Sequence, residues 1–149
     1  MNIRRKHPDL YGIADSARKL ITLDQSLRNN QRLLKCVLAE EIGHILYPPR
    51  PGHLAFHEAG YTYADHNSRS NIKAIVAQDE RKALQWATSV LMPDVVFWRV
   101  VRDGINSVYD LADWFDVEEW FVSIKIGFIR RQAWDSGQKL KWRQIIRRE

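Results

Sequence analysis

The stretch LLKCVLAEEIGHIL, residues Leu33–Leu46, predicts an apolar helix that nevertheless carries two carboxylates and an imidazole in its second half. At about 100° per residue, one stripe of this helix contains Leu33, Val37, Glu40 and His44. The polar groups therefore continue the apolar face instead of lying opposite it. A carboxylate buried without a partner is strongly unfavourable, and a bound divalent cation is one way to offset that energy.

Glu40, Glu41 and His44 have the spacing of a metal-binding helix. Glu40 and His44 are one turn apart, so both can reach one ion, and Glu41 can point at a water molecule on that ion. The pattern is that of H-E-x-x-H with glutamate in place of the first histidine. The same residues also fit a helix in which Glu40 and Glu41 are partly solvated or paired with an arginine of the C-terminal tail.

A second stretch, QDERKALQWATSVLMP over Gln78–Pro93, supplies a third carboxylate. One face of the helix that it predicts contains Glu80, Ala83, Ala87 and Val90. Two alanines on that face let another helix approach closely, and a carboxylate on a facing helix is what an open three-ligand metal site requires. Alternatively, Glu80 is a first-turn acid that the helix dipole favours.

The chain as a whole predicts a fold of the α+β class that is mostly α. The first predicted elements are a short strand and turn over Leu20–Leu27 and a helix that ends near Leu46, with Asn29 or Asn30 as its N-cap. A helix from about Ile72 to Met92 follows, and then a helix from Pro93 to Gly104. Two further helices, over 107–115 and 117–129, meet at Asp116. A further short strand is predicted at 61–65. We expect one domain over residues 1–129, in which 105–129 have the spacing of a helix-turn-helix, and a basic tail over 130–149.

The net charge of +5 belongs to the C-terminal end of the chain. Residues 130–149 contain seven Lys/Arg and two Asp/Glu, so residues 1–129 sum to zero. A basic segment that also contains Trp134 and Trp142 can bind nucleic acid, an acidic partner or an anionic membrane, or can simply keep the protein soluble.

Composition predicts a soluble cytoplasmic protein. The sequence lacks an apolar run of the ~18 residues that a membrane helix needs, and its basic N-terminus lacks the apolar stretch of a secretory signal. The one cysteine, Cys36, cannot form an internal disulfide, so a reducing compartment is the simplest setting. We expect Cys36 on the side of its helix opposite the carboxylates, packed among small residues and not reactive.

Together, the two helical stretches resemble the ImmA/IrrE family of zinc metallopeptidases. That family pairs a helix reading roughly A-H-E-L-G-H with a later E-x-x-A-x-x-F-A-x-x-L-L-M-P, and the corresponding segments here read LAEEIGHIL and ERKALQWATSVLMP. The likeness covers roughly Leu10 to Ile129 and includes the lead-in YGIAD and LITLDQSL. The second motif is the more specific, since its small and apolar positions match in register.

The resemblance implies a zincin-like metallopeptidase core, in which a few helices and a small sheet surround a zinc site. By position, Glu40, His44 and Glu80 would be the metal ligands and Glu41 the general base. The resemblance also implies an endopeptidase that cleaves a helix-turn-helix (Xre-type) transcriptional repressor and so induces a phage, mobile-element or stress programme.

The family's first histidine is Glu40 in this chain. Zinc accepts a carboxylate oxygen at ~2.0–2.2 Å, so the site can still bind a metal. Two carboxylates would cancel the charge of a divalent ion, which would then acidify a bound water less strongly. Harder ligands also make Mn²⁺ or Fe²⁺ alternatives to Zn²⁺, and we expect weaker zinc binding than at a two-histidine site.

The segment between the two motifs is longer than in the family and contains further histidines. His53 and His57 are four residues apart and could form another metal pair, although surface histidines are ordinary in a loop such as the one predicted here. A peptidase also needs a donor for the developing oxyanion, and His57, His66 or Tyr63 could supply it.

Two further functions compete with the peptidase. One is a regulatory protein on the same fold that binds the repressor without cleaving it, and the other is a nucleic-acid-binding module that uses the tail 130–149. The segment 105–129 is a poor DNA reader because its acids would face phosphates. These acids are Asp110, Asp113, Asp116, Glu118 and Glu119. The segment is better interpreted as packing, or as a surface for a protein substrate to which Trp114 and Trp120 contribute.

Overall fold

The structure, a computed structural model, describes residues 11–48 and 66–136, with side chains described from residue 78 onward in the second range. Its elements are β1 (Gly12–Asp15), β2 (Leu20–Leu23), a 3-10 helix (Gln25–Asn29), α1 (Gln31–Leu46), α2 (His66–Leu91), α3 (Asp94–Arg102), α4 (Val108–Phe115) and α5 (Glu119–Asp135). β1 and β2 form a two-stranded antiparallel sheet. The described part of the chain is therefore mostly helical with a small sheet, which confirms the predicted α+β, mostly α class.

The hairpin of β1 and β2 lies beside the C-terminal half of α1. Its register pairs Gly12 with Leu23, and its turn contains Lys19 in the left-handed conformation, at φ 54°. The Lys19 ammonium donates to the Ile45 carbonyl at 3.4 Å, at the end of α1 where the helix dipole favours a cation. This contact ties the hairpin to the helix that carries the predicted metal ligands.

The predicted strand and turn over Leu20–Leu27 are confirmed as β2 and the 3-10 helix. Asn30, and not Asn29, is the N-cap residue of α1, and its side chain accepts a hydrogen bond from the Leu33 N–H. α1 ends at Leu46, as predicted. The strand predicted at 61–65 lies outside the described residues.

The buried side of α1 consists of small residues and one valine. These are Cys36, Val37, Ala39 and Gly43. Cys36 is fully buried, as predicted, and burial raises the pKa of its thiol to about 11. The expectation that Cys36 lies opposite the carboxylates is wrong, because it precedes Glu40 by one turn and so shares its side of the helix. Glu40 therefore borders the buried face.

α2 is longer than predicted. It begins at His66 and not near Ile72, so residues 66–71 are helical as well. At 26 residues it is the longest described helix, yet no helix in the described ranges is long and apolar enough to cross a membrane.

The face of α2 that was predicted to meet another helix is confirmed only in part. Ala83 and Ala87 are fully buried, as a close helix contact requires. Val90 has the helical spacing of this face, but it is 52% exposed, so the face is not covered by another helix at its last turn. Met92, which follows α2 directly, is fully buried in the core together with residues of α3, α4 and α5.

Helices α3 and α4 follow the predicted boundaries closely. Pro93 is the N-cap residue of α3, and Asp94 is its first helical residue. Gly104 follows α3 with a φ of +98°, the left-handed conformation that commonly ends helices. Asp116, also left-handed at φ 53°, joins α4 to α5 as predicted.

α5 extends further than the predicted helix over 117–129. It ends at Asp135, so the first part of the segment 130–149 is helical. The rest of the basic tail, 137–149, lies outside the described residues.

Acids of the helix-turn-helix-like segment pair with α1. Arg32 contacts Asp113 at 3.0 Å and Asp116 at 3.2 Å, and the Lys35 ammonium contacts Asp116 at 2.7 Å. The hydrogen bonds from Lys35 and Arg32 lower the pKa of Asp116. These two acids therefore form ion pairs with α1 at the surface of the molecule. Trp114, by contrast, is half-exposed.

Candidate metal centre

A close approach of α1 and α2 places the predicted ligands side by side. A Cβ built on Gly43 would lie 2.6 Å from the Ala83 carbonyl oxygen, closer than real Cβ atoms come. Glycine at position 43 therefore allows the two helix backbones to meet. Because His44 follows Gly43 and Glu80 precedes Ala83 by one turn, this contact directs both side chains to the same place.

Glu40, His44 and Glu80 form a cluster that could hold a metal ion. One ligand atom from each residue lies within 4.8 Å of the other two, and His44 Nε2 is 3.2 Å from Glu80 Oε2. The fold thus brings together the three residues that the sequence predicts as ligands, from two helices that are distant along the chain.

The separation of these atoms fits the coordination sphere of a divalent ion. Bonds of ~2.1 Å to tetrahedrally arranged ligands place neighbouring ligand atoms about 3.4 Å apart. The His44–Glu80 distance is already close to this value, and the ligand atom of Glu40 lies within 4.8 Å of both partners. Two carboxylates and one imidazole form a donor set that Zn²⁺, Mn²⁺ and Fe²⁺ all accept.

The cluster is partly open to solvent. The His44 side chain is 17% exposed and the Glu80 side chain 40% exposed. Solvent therefore reaches the His44 and Glu80 side chains. An accessible fourth position distinguishes catalytic metal sites from closed structural ones.

Burial and mutual charge perturb the titration of the cluster. Burial raises the pKa of the Glu40 carboxyl, the Glu80 carboxylate raises it further, and His44 opposes both. Burial lowers the pKa of His44, but the hydrogen bond to Glu80 and the surrounding carboxylates outweigh burial, so that the pKa is raised overall. Protons therefore compete with a metal ion for these residues.

Glu41 lies beside the cluster without being one of its three potential ligands. Burial raises the pKa of its carboxyl to about 7, with the charges of Glu40 and Glu80 adding to the rise and His44 reducing it. A carboxyl group that titrates near neutrality can both accept and return a proton, which is what a general base must do.

Two glycines shape the site, and neither was predicted to do so. Gly43 sets the spacing of the helices, and Gly12 of β1 lies against Glu41, since a Cβ on Gly12 would be 2.8 Å from Glu41 Cγ. An isolated glycine within a helix or strand pattern is a sign of close backbone approach. That signal was present in the sequence at both positions.

The other predicted site residues lie beyond what the structure describes. His53, His57 and Tyr63 are outside the described ranges, and His66 begins α2 with a side chain that is not described. A second metal pair and a donor for the oxyanion therefore stay predictions.

A pocket of about 440 Å³ lies near the C-terminal end of α1. Its lining residues are Leu46, Tyr47, Pro48, Gln78, Asp79 and Lys82. None of the three cluster residues lines it. Gln78, Asp79 and Lys82 project from sides of α2 other than the Glu80 side, so the pocket is separate from the candidate metal centre.

Comparisons of the chain with protein-family models, with curated proteins and with solved structures gave no match. The resemblance to the ImmA/IrrE family therefore stays a prediction that depends on the two motifs and their spacing.

Proposed function

We propose that the protein is a metal-dependent endopeptidase with a zincin-like core, in which Glu40, His44 and Glu80 bind the metal ion. The observation that carries this proposal is the meeting of these three side chains across the Gly43–Ala83 helix contact. Three protein ligands that leave an accessible fourth position are the arrangement of catalytic metal sites.

The chemistry follows from the neighbouring groups. A divalent cation bound by the three ligands supplies a Lewis acid that polarises the scissile carbonyl and acidifies the attacking water. Glu41 accepts the proton of that water and later passes it to the leaving amine. Burial raises the pKa of Glu41 to about 7 in the metal-free protein, and the positive charge of a bound cation would lower that pKa and favour the ionised carboxylate that acts as the base.

The resemblance suggests the substrate of this reaction. We propose that the peptidase cleaves a helix-turn-helix repressor in the cytoplasm and thereby induces a phage, mobile-element or stress programme. The half-exposed side chains of Trp114 and Trp120 offer a surface on which such a protein substrate could bind, since exposed tryptophans are enriched at protein interfaces.

A second candidate is a regulatory protein that binds the repressor without cleaving it. The observation that favours it is Glu40, which replaces the histidine expected at this position and makes the metal centre less positive. A binding protein needs the surface of the fold but does not need Glu41 as a base.

Metal content tests the first part of the proposal. The tag-free protein is analysed by mass spectrometry for zinc, manganese and iron, as purified and after incubation with each ion. We expect about one ion per chain, and its loss in Glu80→Ala. Glu119→Ala, which removes an exposed carboxylate of α5, is the matched control and should retain the ion. A chain that takes up none of the three ions would contradict the proposal.

Co-expression with a helix-turn-helix repressor tests the second part. Glu41→Gln keeps the size of the side chain but removes the base, so it should retain the metal and abolish cleavage. The regulatory alternative expects the opposite result, in which repression is relieved without a cleaved product and Glu41→Gln acts like the wild type.

A further inference from the structure

The backbone of β1 lies directly under the side chain of Glu41. A Cβ built on Gly12 would be 2.8 Å from Glu41 Cγ, 2.8 Å from Oε1 and 3.0 Å from Cδ. Three consecutive heavy atoms of the Glu41 side chain therefore pack against the side of Gly12 on which any other residue would carry its Cβ. Real Cβ atoms essentially never come so close to other heavy atoms.

Nothing in the backbone of Gly12 itself requires a glycine. The residue has no positive φ, unlike Gly104, so its conformation is open to any L-amino acid. It pairs regularly with Leu23 in the antiparallel sheet. Glycine within a strand usually weakens the strand, and its use here is explained by the approach of Glu41.

The contact also limits where the Glu41 side chain can lie. In a helix, χ1 is in practice limited to two staggered values, because the third clashes with the preceding turn. A methyl group at position 12 would lie only 2.8 Å from Glu41 Cγ and from Oε1, so the Glu41 side chain would have to move away from β1. That movement would carry the carboxylate out of the position that it holds beside the cluster.

We infer that Gly12 is a positioning residue for Glu41. Because Gly12 has no side chain, the Glu41 side chain packs directly against its backbone, and this contact holds the general base beside the metal ligands. This inference rests on the proposed function for the meaning of that position, while the contact itself does not depend on a bound metal. The three heavy atoms nearest to a Cβ at Gly12 all belong to Glu41, so Gly12 acts on the site through Glu41.

The first test uses the metal-free protein. Glutamate labelled with ¹³C at the carboxyl carbon reports the titration of Glu41 by NMR, with Glu41→Gln identifying the signal. In Gly12→Ala, the released carboxylate enters water, and we expect its titration midpoint to fall by about one pH unit or more. Gly127→Ala adds the same methyl group where no heavy atom lies within 4 Å, and its midpoint should equal that of the wild type.

The second test uses Co²⁺ as a spectroscopic probe of the metal centre. Gly12→Ala should bind Co²⁺ with a dissociation constant that changes by less than the roughly tenfold typical of a lost second-shell contact to a ligand. The visible absorption spectrum of the Co²⁺-bound protein changes with pH. The pH of that change in Gly12→Ala should move away from the wild-type value and toward the value measured for Glu41→Gln. A residue that only stabilised the fold would leave that pH unchanged.

The two tests separate the inference from the proposed function. If Co²⁺ does not bind to the wild type, the metal centre is refuted. The midpoint of the Glu41 titration measured by NMR still decides whether Gly12 positions Glu41. If Gly12→Ala leaves both the NMR midpoint and the Co²⁺ profile at their wild-type values, Gly12 does not position Glu41 and the inference is overturned.

Discussion

Gly43 packs so tightly on Ala83 that a Cβ at position 43 would lie 2.6 Å from the Ala83 carbonyl oxygen and 3.0 Å from its Cα. The obstructing atoms belong to backbone, which cannot move aside as a flexible side chain can. His44 and Glu80 are neighbours of this contact along their helices. The distance between the two backbones therefore fixes the distance between these two side chains.

Gly43→Ala should force α1 and α2 apart and disrupt the metal centre. Overpacking of this kind destabilises a protein by about 1–3 kcal/mol. Separation of His44 from Glu80 should also weaken metal binding by about tenfold or more, because the two ligands no longer share one ion. Chemical denaturation and a metal titration measure the two effects.

Gly127→Ala is the control for this substitution. Gly127 lies on the exposed side of α5 with no heavy atom near its missing Cβ. Alanine there should stabilise the protein by about 0.5–1 kcal/mol through its higher helix propensity, with metal binding unchanged. The role assigned to Gly43 would be refuted by a Gly43→Ala protein that binds metal as tightly as the wild type.

The three members of the Glu40–His44–Glu80 cluster could be predicted from sequence because the patterns that mark them are local. Helical periodicity alone places Glu40 and His44 one turn apart, and the alanines after Glu80 mark a face that another helix can approach. The bounds of α1 and the Asp116 junction were also readable, since caps and turns depend on a few adjacent residues.

The sequence patterns did not predict the features that depend on tertiary contacts. The burial of α1 centres on its small residues, where α2 approaches at Gly43, and Val90 is exposed although Ala83 and Ala87 on the same face of α2 are buried. The pairing of Arg32 with Asp113 and Asp116 joins residues distant in sequence. No local pattern specifies which cation a surface acid will meet, so this pairing could not be predicted.

The metal-free protein should lose stability as the pH rises from about 5 to 8. The folded-state pKa of Glu41 is raised from 4.5 to about 7, so between these values the folded state binds more protons than the unfolded chain. The raised pKa of His44 acts in the same direction, since its stabilising pair with Glu80 is lost as the imidazole deprotonates. Because Glu41 is partly solvated, we expect a loss on the order of 2 kcal/mol.

Thermal melts in a chelator at a series of pH values measure this loss. Glu41→Gln cannot ionise at position 41, so its melting temperature should depend less on pH and exceed that of the wild type at pH 8. A saturating metal ion should reverse the trend, because it binds the deprotonated ligands. A wild-type melting temperature that rises steadily from pH 5 to 8 in chelator would contradict the assigned pKa shifts.

The ion pair between Lys125 and Asp94 should be important for folding. Lys125 of α5 is only 3% exposed, whereas its partner at the start of α3 is 55% exposed. Asp94→Asn leaves the ammonium buried without a counter-charge, and we expect it to destabilise the protein by about 2 kcal/mol. Denaturant unfolding at neutral pH measures the change.

Lys125→Met provides the test of that explanation. Methionine fills a similar volume without a charge, so the variant should be close to wild type in stability. In this background, Asp94→Asn should cost less than about 1 kcal/mol, which is the share due to the helix dipole. If Asp94→Asn destabilises both backgrounds equally, the cost does not come from the buried ammonium.

Glu40→His should change the metal preference of the site. A second imidazole is a softer ligand than a carboxylate and leaves one more positive charge on the centre. We expect zinc affinity to rise by about tenfold and Mn²⁺ affinity to fall. The ratio of the two dissociation constants, measured by competition with a chelator at fixed pH, is the best readout because a general change in stability affects both ions alike.

The comparison with Glu40→Gln decides whether Glu40 is a ligand at all. Glutamine keeps the shape of the side chain but is a much poorer ligand, so both ions should bind more weakly. If Glu40→His leaves zinc affinity unchanged or lowers it, the idea that glutamate at this position weakens zinc binding is wrong. If Glu40→Gln also binds both ions like the wild type, Glu40 is not a ligand, and the chain coordinates metal through His44 and Glu80 with a partner other than Glu40.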